Sequence, residues 1–279
     1  MAVQAAVTQF KNEMVLGYEQ RRSLLSTAAT PEFMKNGLTV TFLVHGSGGQ
    51  TAVTRGANGD IPYGGPSNTQ VSATLVEKHA AESLTGFDIF ASQGNQTAGL
   101  QMNVYSVIRR DQDDTILAEL DAATQDFGSG TLDLTTITGA KAILGNNDVP
   151  TEEEDNMFAI ISHAAEAYLL QMTEFTSADY VDVKPLTGGP VRKYKRWMGV
   201  NWIVSSRVEG AGTSSEKLYM YHRSALGYAC NMGAEKLFAG FNEEQGRSWA
   251  RAEVYHAAKI IQNSGIVKIA HDGSAFVST

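Results

Sequence analysis

The most informative pattern of apolar and polar positions lies between residues 37 and 90. The apolar stretch Leu38-Thr39-Val40-Thr41-Phe42-Leu43-Val44 predicts a strand, and Val71-Ser72-Ala73-Thr74-Leu75-Val76 predicts its return. About twenty residues between them are nearly all small, polar or turn-forming, including Gly46-Ser47-Gly48-Gly49, Gly56, Gly59, Pro62 and Gly64-Gly65-Pro66. The pattern is that of a long two-stranded arm with a loose tip. A ribbon of two strands is marginal alone in water. A chain that keeps one is built to have it covered by another chain.

Upstream, Val3, Val7, Phe10, Met14, Tyr18 and Leu25 recur at helical spacing, which predicts a terminal helix over 3–25. It either docks on its own domain or reaches a neighbour. Residues 95–127 predict one long helix, capped at Asn95 and stopped at Gly128, that would run roughly 50 Å at 1.5 Å per residue. Leu100, Val104, Val107 and Ile108 form one apolar stripe, and Leu117, Leu120 and Phe127 a second. The charged run Arg109-Arg110-Asp111-Gln112-Asp113-Asp114 lies between them. It is either a solvated face with local ion pairs or a contact between subunits.

Further on, Leu134–Leu144 and Ala164–Met172 predict helices, and Met157–Ile161 a buried strand. Arg196–Ser205 and Lys217–Tyr221 predict strands. Trp249–Ile269 reads as a hairpin turning at Asn263-Ser264-Gly265. Thr151-Glu152-Glu153-Glu154-Asp155 reads as a solvated acidic loop.

With 279 residues the chain makes one large domain or two modest ones, and 43% hydrophobic residues suffice for a sizeable core. A net charge of −8 argues against nucleic acid as the ligand of the whole surface, though not against a local basic patch. A single cysteine, Cys230, excludes an intramolecular disulfide and fits a reducing compartment such as bacterial cytoplasm. The start Met1-Ala2-Val3-Gln4 lacks a signal-peptide pattern, and no apolar run approaches the ~20 residues that span a bilayer.

The chemical motifs are weak. His45-Gly46-Ser47-Gly48-Gly49 looks superficially like an esterase oxyanion loop, but no Gly-x-Ser-x-Gly elbow follows. No Gly-Lys-Ser/Thr makes the same glycines a phosphate cradle. His79/Glu82 and His163/Glu166 have an i, i+3 spacing that could share a helix face, yet a metal bundle needs further glutamates on facing helices. Arg192-Lys193-Tyr194-Lys195-Arg196-Trp197 could stack on a nucleic-acid strand. The better reading is the solvated start of a strand whose Trp197 and Trp202 are core.

In order, these pieces are an N-terminal arm, a glycine-tipped hairpin, a long helix, a mixed region and a final pair of strands. That order resembles the major capsid protein of tailed double-stranded DNA bacteriophages. Local segments resemble one capsid subfamily: Thr41-Phe42-Leu43-Val44 through Gly48-Gly49-Gln50-Thr51-Ala52-Val53-Thr54-Arg55-Gly56, Phe90-Ala91-Ser92-Gln93-Gly94-Asn95-Gln96, Ala165-Glu166-Ala167-Tyr168-Leu169-Leu170, Phe175-Thr176-Ser177-Ala178-Asp179-Tyr180, Trp197-Met198-Gly199-Val200-Asn201-Trp202, Tyr221-His222-Arg223-Ser224-Ala225-Leu226-Gly227 and His271-Asp272-Gly273-Ser274.

The resemblance implies the α+β HK97-type fold. Residues 1–36 would be the N-arm and 37–90 the E-loop. Residues 91–132, with the spine helix, and 246–279 would form the peripheral domain, and 133–245 the axial domain. It implies a structural protein, not an enzyme, with no catalytic, cofactor or metal residues. Partners would be copies of itself in hexamers and pentamers, a separate scaffolding protein, a portal, in some shells a decoration or cement protein, and enclosed genomic DNA bound without sequence preference. No membrane is implied. The location would be the virion, after assembly in the host bacterial cytoplasm. The residues marked for contact between subunits are Phe10, Arg55, Arg109, Arg110, Asp113 and Asp114. A nanocompartment shell of the same fold, and a small hydrolase, are the competing readings.

Overall fold

A computed structural model describes residues 18, 20–34, 36–91, 96–128, 130–176, 195–233 and 235–276. The predicted helix at 3–25 lies mostly outside these residues, and Phe10 with it.

The chain begins with strand β1 (Thr30–Met34), followed by the hairpin β2 (Thr39–Gly46) and β3 (Ser67–Thr74). Then come β4 (Val76–Thr85), the short helix α1 (Gly86–Ala91), the long helix α2 (Gln96–Asp121), β5 (Asp126–Phe127) and α3 (Leu134–Asn146). The middle holds β6 (Met157–Ile161), α4 (His163–Gln171), α5 (Thr173–Thr176), β7 (Lys195–Trp197), β8 (Val200–Val204) and β9 (Glu216–His222). The chain closes on β10 (Leu226–Asn231), β11 (Lys236–Asn242), β12 (Arg247–Ile260) and β13 (Ile266–His271).

Two sheets carry the structure. One runs β1-β10-β12-β11, with β4 on the other side of β12. The second runs β5-β13-β9-β6-β8-β7. At its centre Met157–Ile161 is buried at every position, as an unbroken apolar run covered on both faces must be. Asp133 caps α3 by accepting from Thr136 N–H, and Ser162 caps α4 by accepting from Ala165 N–H. α3 runs on to Asn146, two residues past the predicted end at Leu144.

Helix α2 has 26 residues, so it spans roughly 39 Å, shorter than the sequence suggests. It bridges two cores. Leu100, Val104 and Ile108 lie on Ala80, Ala250, Ala252 and Val254 of β4 and β12, where small residues let the helix sit close. About two turns further, Ile116, Leu117 and Leu120 enter the main core with β6, β9, β13 and α3.

Three sequence expectations change. Residues 249–269 are not a hairpin: β12 pairs with β10, β11 and β4, whereas β13 pairs with β9 and β5. A corner between two sheets has the same Asn-Ser-Gly signature as a hairpin turn. Residues 196–205 are not one strand but the hairpin β7–β8, turning at Met198 (φ 54°) and Gly199 (φ 72°). The freestanding ribbon narrows from 37–90 to 39–74, because β4 pairs along ten residues with β12.

Candidate functional site

Nothing among the described residues resembles a catalytic constellation, and no group of three or more His, Cys, Asp or Glu could hold a metal ion. His79 and Glu82 lie on strand β4 rather than a helix, so three residues of separation turn them to opposite faces. His79 pairs instead with Glu77 at 2.8 Å. His163 and Glu166 share a face of α4 at 3.6 Å, and Lys195 completes that pair. Trp197 and Trp202 are buried, with ring centroids 6.0 Å apart. The rest of the basic cluster, 192–194, lies outside the described residues. Arg196 pairs with Glu154 and Asp155, so the acidic loop is more than solvated. No described helix is long and apolar enough to cross a membrane.

The surfaces are the informative part. β2 and β3 pair from Thr39↔Thr74 to Gly46↔Ser67. At the base Val40, Phe42 and Ala73 are buried on Ala229 of β10 and Ala257 of β12, in the first sheet. Phe42 sits so close over Gly227 that a Cβ there would lie 2.6 Å from the ring. A side chain at 227 would therefore push the ribbon away. Beyond the base, every residue from 47 to 70 is exposed. Leu43, Val53, Ile61 and Tyr63 are bare, Tyr63 at 94%. The loop's backbone hydrogen bonds stay within it, as in Gly56 N–H to Asp60 O at 2.9 Å. Gly48 takes φ +67°, and a Cβ on it would meet Gly65 O at 2.7 Å, so the two sides of the tip approach through glycine. Arg55 is exposed in this loop.

The charged run on α2 is neither a solvated face nor open to a neighbour along its length. Asp113 is 0% exposed. It accepts hydrogen bonds from Ser23 Oγ (2.6 Å), Leu24 N–H (3.0 Å), Leu25 N–H (3.2 Å) and Gln20 Nε2. Burial pushes its carboxyl above the usual aspartate value, and these four donors pull it part of the way back. The same bonds explain why 20–25 is not helical: its N–H groups go to a side chain instead of to helix carbonyls. Leu25, Ala28 and Ala29 then enter the main core. This corrects the reading of Asp113 as a residue facing another subunit.

Arg109 is likewise committed to its own chain. It pairs with Glu235 at 3.4 Å, lies 4.1 Å from the Tyr105 ring centroid, and donates to the Tyr105 hydroxyl. Asp114 takes a two-pronged pair from Arg207, with Nε at 2.7 Å. Arg110 is half-buried. Of the marked residues among those described, Arg55 alone stands exposed, in the open loop of the ribbon.

Asp111 faces the other way, accepting from His256 Nε2 at 2.9 Å and pairing with Lys78 at 3.4 Å. The hydrogen bond from His256 does most to hold its carboxyl below the ordinary range; burial opposes this, and the charges of His256 and Lys78 add to it. A carboxyl depressed by folding stabilises above its unfolded value, about 3.9, and that contribution is lost as pH falls toward the depressed one. Thermal melts below about pH 4 should therefore fall more steeply for the wild type than for Asp111→Asn. Equal slopes would show that the pair contributes nothing.

The sequence family model described as phage capsid protein matches residues 2–273. No curated protein gives a significant match. Among solved structures, a chain of Mycobacterium phage Che8 superposes with TM-score 0.73 at 15% identity, covering 95% of this chain and 97% of that one. The capsid of Ralstonia phage GP4 gives 0.71 at 9% identity, over 99% and 97%. The capsid of a native GTA particle gives 0.69 at 11%, over 96% and 96%. At such identities the likeness is one of fold.

Proposed function

The chain belongs to the phage capsid protein family, and from that premise we propose that its shell is icosahedral, built of hexamers and pentamers of this one chain around double-stranded DNA. The protein is a structural major capsid protein with the α+β HK97-type fold, and its place is the virion capsid. In the proposed layout, residues 1–36 are the arm and the ribbon 39–74 is the E-loop. Helix α2, β4 and β11–β12 make the peripheral domain, and the six-stranded sheet with α3 and α4 makes the axial domain. A separate scaffolding protein and a portal complete the assembly, in the host cytoplasm.

The observation that carries this is the ribbon. Its base is packed on the first sheet of the same chain, and 47–70 has nothing of its own chain to cover it. Apolar surface laid on a neighbour gains roughly 25 cal/mol per Å². Ring contacts between different surfaces of identical chains close into capsomers. The glycines of the tip allow one sequence to fit hexamers and pentamers.

Hydrogen exchange tests it. Amides of 47–66 should exchange freely in the monomer and become protected in assembled particles, while those of β6 and β9 stay protected in both. Free exchange at 47–66 in both states would mean that the ribbon is not an assembly element.

A further inference from the structure

The first sheet ends in a bare edge strand. Among the described residues β11 pairs only with β12, from Lys236↔Glu253 to Asn242↔Arg247. Its outer edge is open, and it is exposed at six of seven positions, with the seventh half-exposed. Leu237, Phe238 and Phe241 are 43%, 40% and 58% exposed. The strand has no charge between Lys236 and Glu243, no proline and no bulge. Natural sheets protect a bare edge with such devices, because unpaired N–H and C=O groups recruit another strand. By contrast the edge strand β4 carries Glu77, Lys78, His79 and Glu82.

We propose that β11 is completed by β11 of a second copy of the chain, paired antiparallel about a two-fold axis at Ala239. Charge selects the direction. Lys236 begins the strand and Glu243-Glu244 follow it. Antiparallel copies bring the lysine of one near Glu244 of the other, diagonally across the pair, whereas parallel copies oppose lysine to lysine; Glu235, which a register centred on Ala239 sets opposite Glu243, is already held by Arg109 of its own chain at 3.4 Å. A two-fold axis normal to the sheet requires one residue to face itself, and the middle residue of 236–242 is Ala239. This register sets Lys236 opposite Asn242, Leu237 opposite Phe241 and Phe238 opposite Gly240. Leu237 and Phe241 lie on the face that carries α2, since they oppose Ala252 and Ser248 of β12. The pair extends a three-stranded patch, β4-β12-β11, across two molecules and joins them without using the ribbon. The partner is another copy, so the inference rests on the shell reading.

Disulfide trapping in assembled particles tests it. Directly opposed residues of an antiparallel pair have Cα atoms within the 4.4–6.8 Å that a disulfide spans. Ala239 is exposed and accepts cysteine without disturbing packing. The native Cys230 is buried, with its thiol pushed up to about 11 by burial, so it stays silent. Mild oxidation of Ala239→Cys particles should give covalent dimers, roughly tenfold above an exposed control, Ser264→Cys. The double variant Leu237→Cys/Phe241→Cys should also crosslink, and either single change should not. If Ala239→Cys prevents assembly, the double variant decides. Particles without dimers, or with no more than the control, overturn the pairing. If the wild type forms no particles at all, the shell reading fails and the pairing falls with it.

Discussion

Asp113→Ala is expected to destabilise the isolated chain by roughly 3 kcal/mol. The carboxylate accepts all four of its hydrogen bonds from residues 20–25. Without it, the N–H groups of Leu24 and Leu25 lose their acceptor in a buried setting, and each unsatisfied group costs about 1–3 kcal/mol. Ser23 and Gln20 are nearer the surface and can turn to water. The loss extends inward, because Leu25, Ala28 and Ala29 follow directly into the main core. Asp113→Asn keeps one acceptor oxygen and should lose about half as much. Denaturant unfolding of both variants measures this. A wild-type midpoint for Asp113→Ala would mean that core packing alone holds the segment. The sequence marks Asp113 for contact between subunits; its burial puts the cost of the substitution in the fold instead.

Excising 47–66 and closing β2 to β3 with a two-residue turn is expected to abolish shells and leave the monomer folded. Every excised residue is exposed, and the loop's hydrogen bonds run within it. Folding stability should stay within about 0.5 kcal/mol, as for surface changes generally. The base, with Val40, Phe42 and Ala73 on Ala229 and Ala257, remains. Particle yield should fall to background while the melting temperature of the monomer holds. An unfolded product would place the tip in the core, and normal shells would show that the contact energy lies elsewhere.

What the sequence revealed, it revealed through local periodicity. β6 and β9 were legible as dense apolar runs, and α3 and α4 as helical stretches, because those signals live within about ten residues, whereas their caps Asp133 and Ser162 emerged only from the structure. The ribbon was legible because its tip is so poor in apolar residues. β10 was missed: Leu226-Gly227-Tyr228-Ala229-Cys230-Asn231 is short and rich in small residues, and only its place between β1 and β12 makes it a strand. β11 was missed for its glycine and lack of alternation. The charged run on α2 misled because its solvation depends on residues 20–25, some ninety positions away, folding back over it. No periodicity within the helix could reveal that. The pairing of 247–260 with one sheet and 266–271 with another is equally non-local.

The central claim is that this one chain builds a closed shell. Electron microscopy of the purified protein, alone and co-expressed with a scaffolding protein, tests it most directly, with light scattering on the same samples. The account predicts closed particles with five- and six-fold capsomers, the ribbon of each chain lying on its neighbour. A protein that stays monomeric at every concentration and salt, with and without the scaffold, would contradict it.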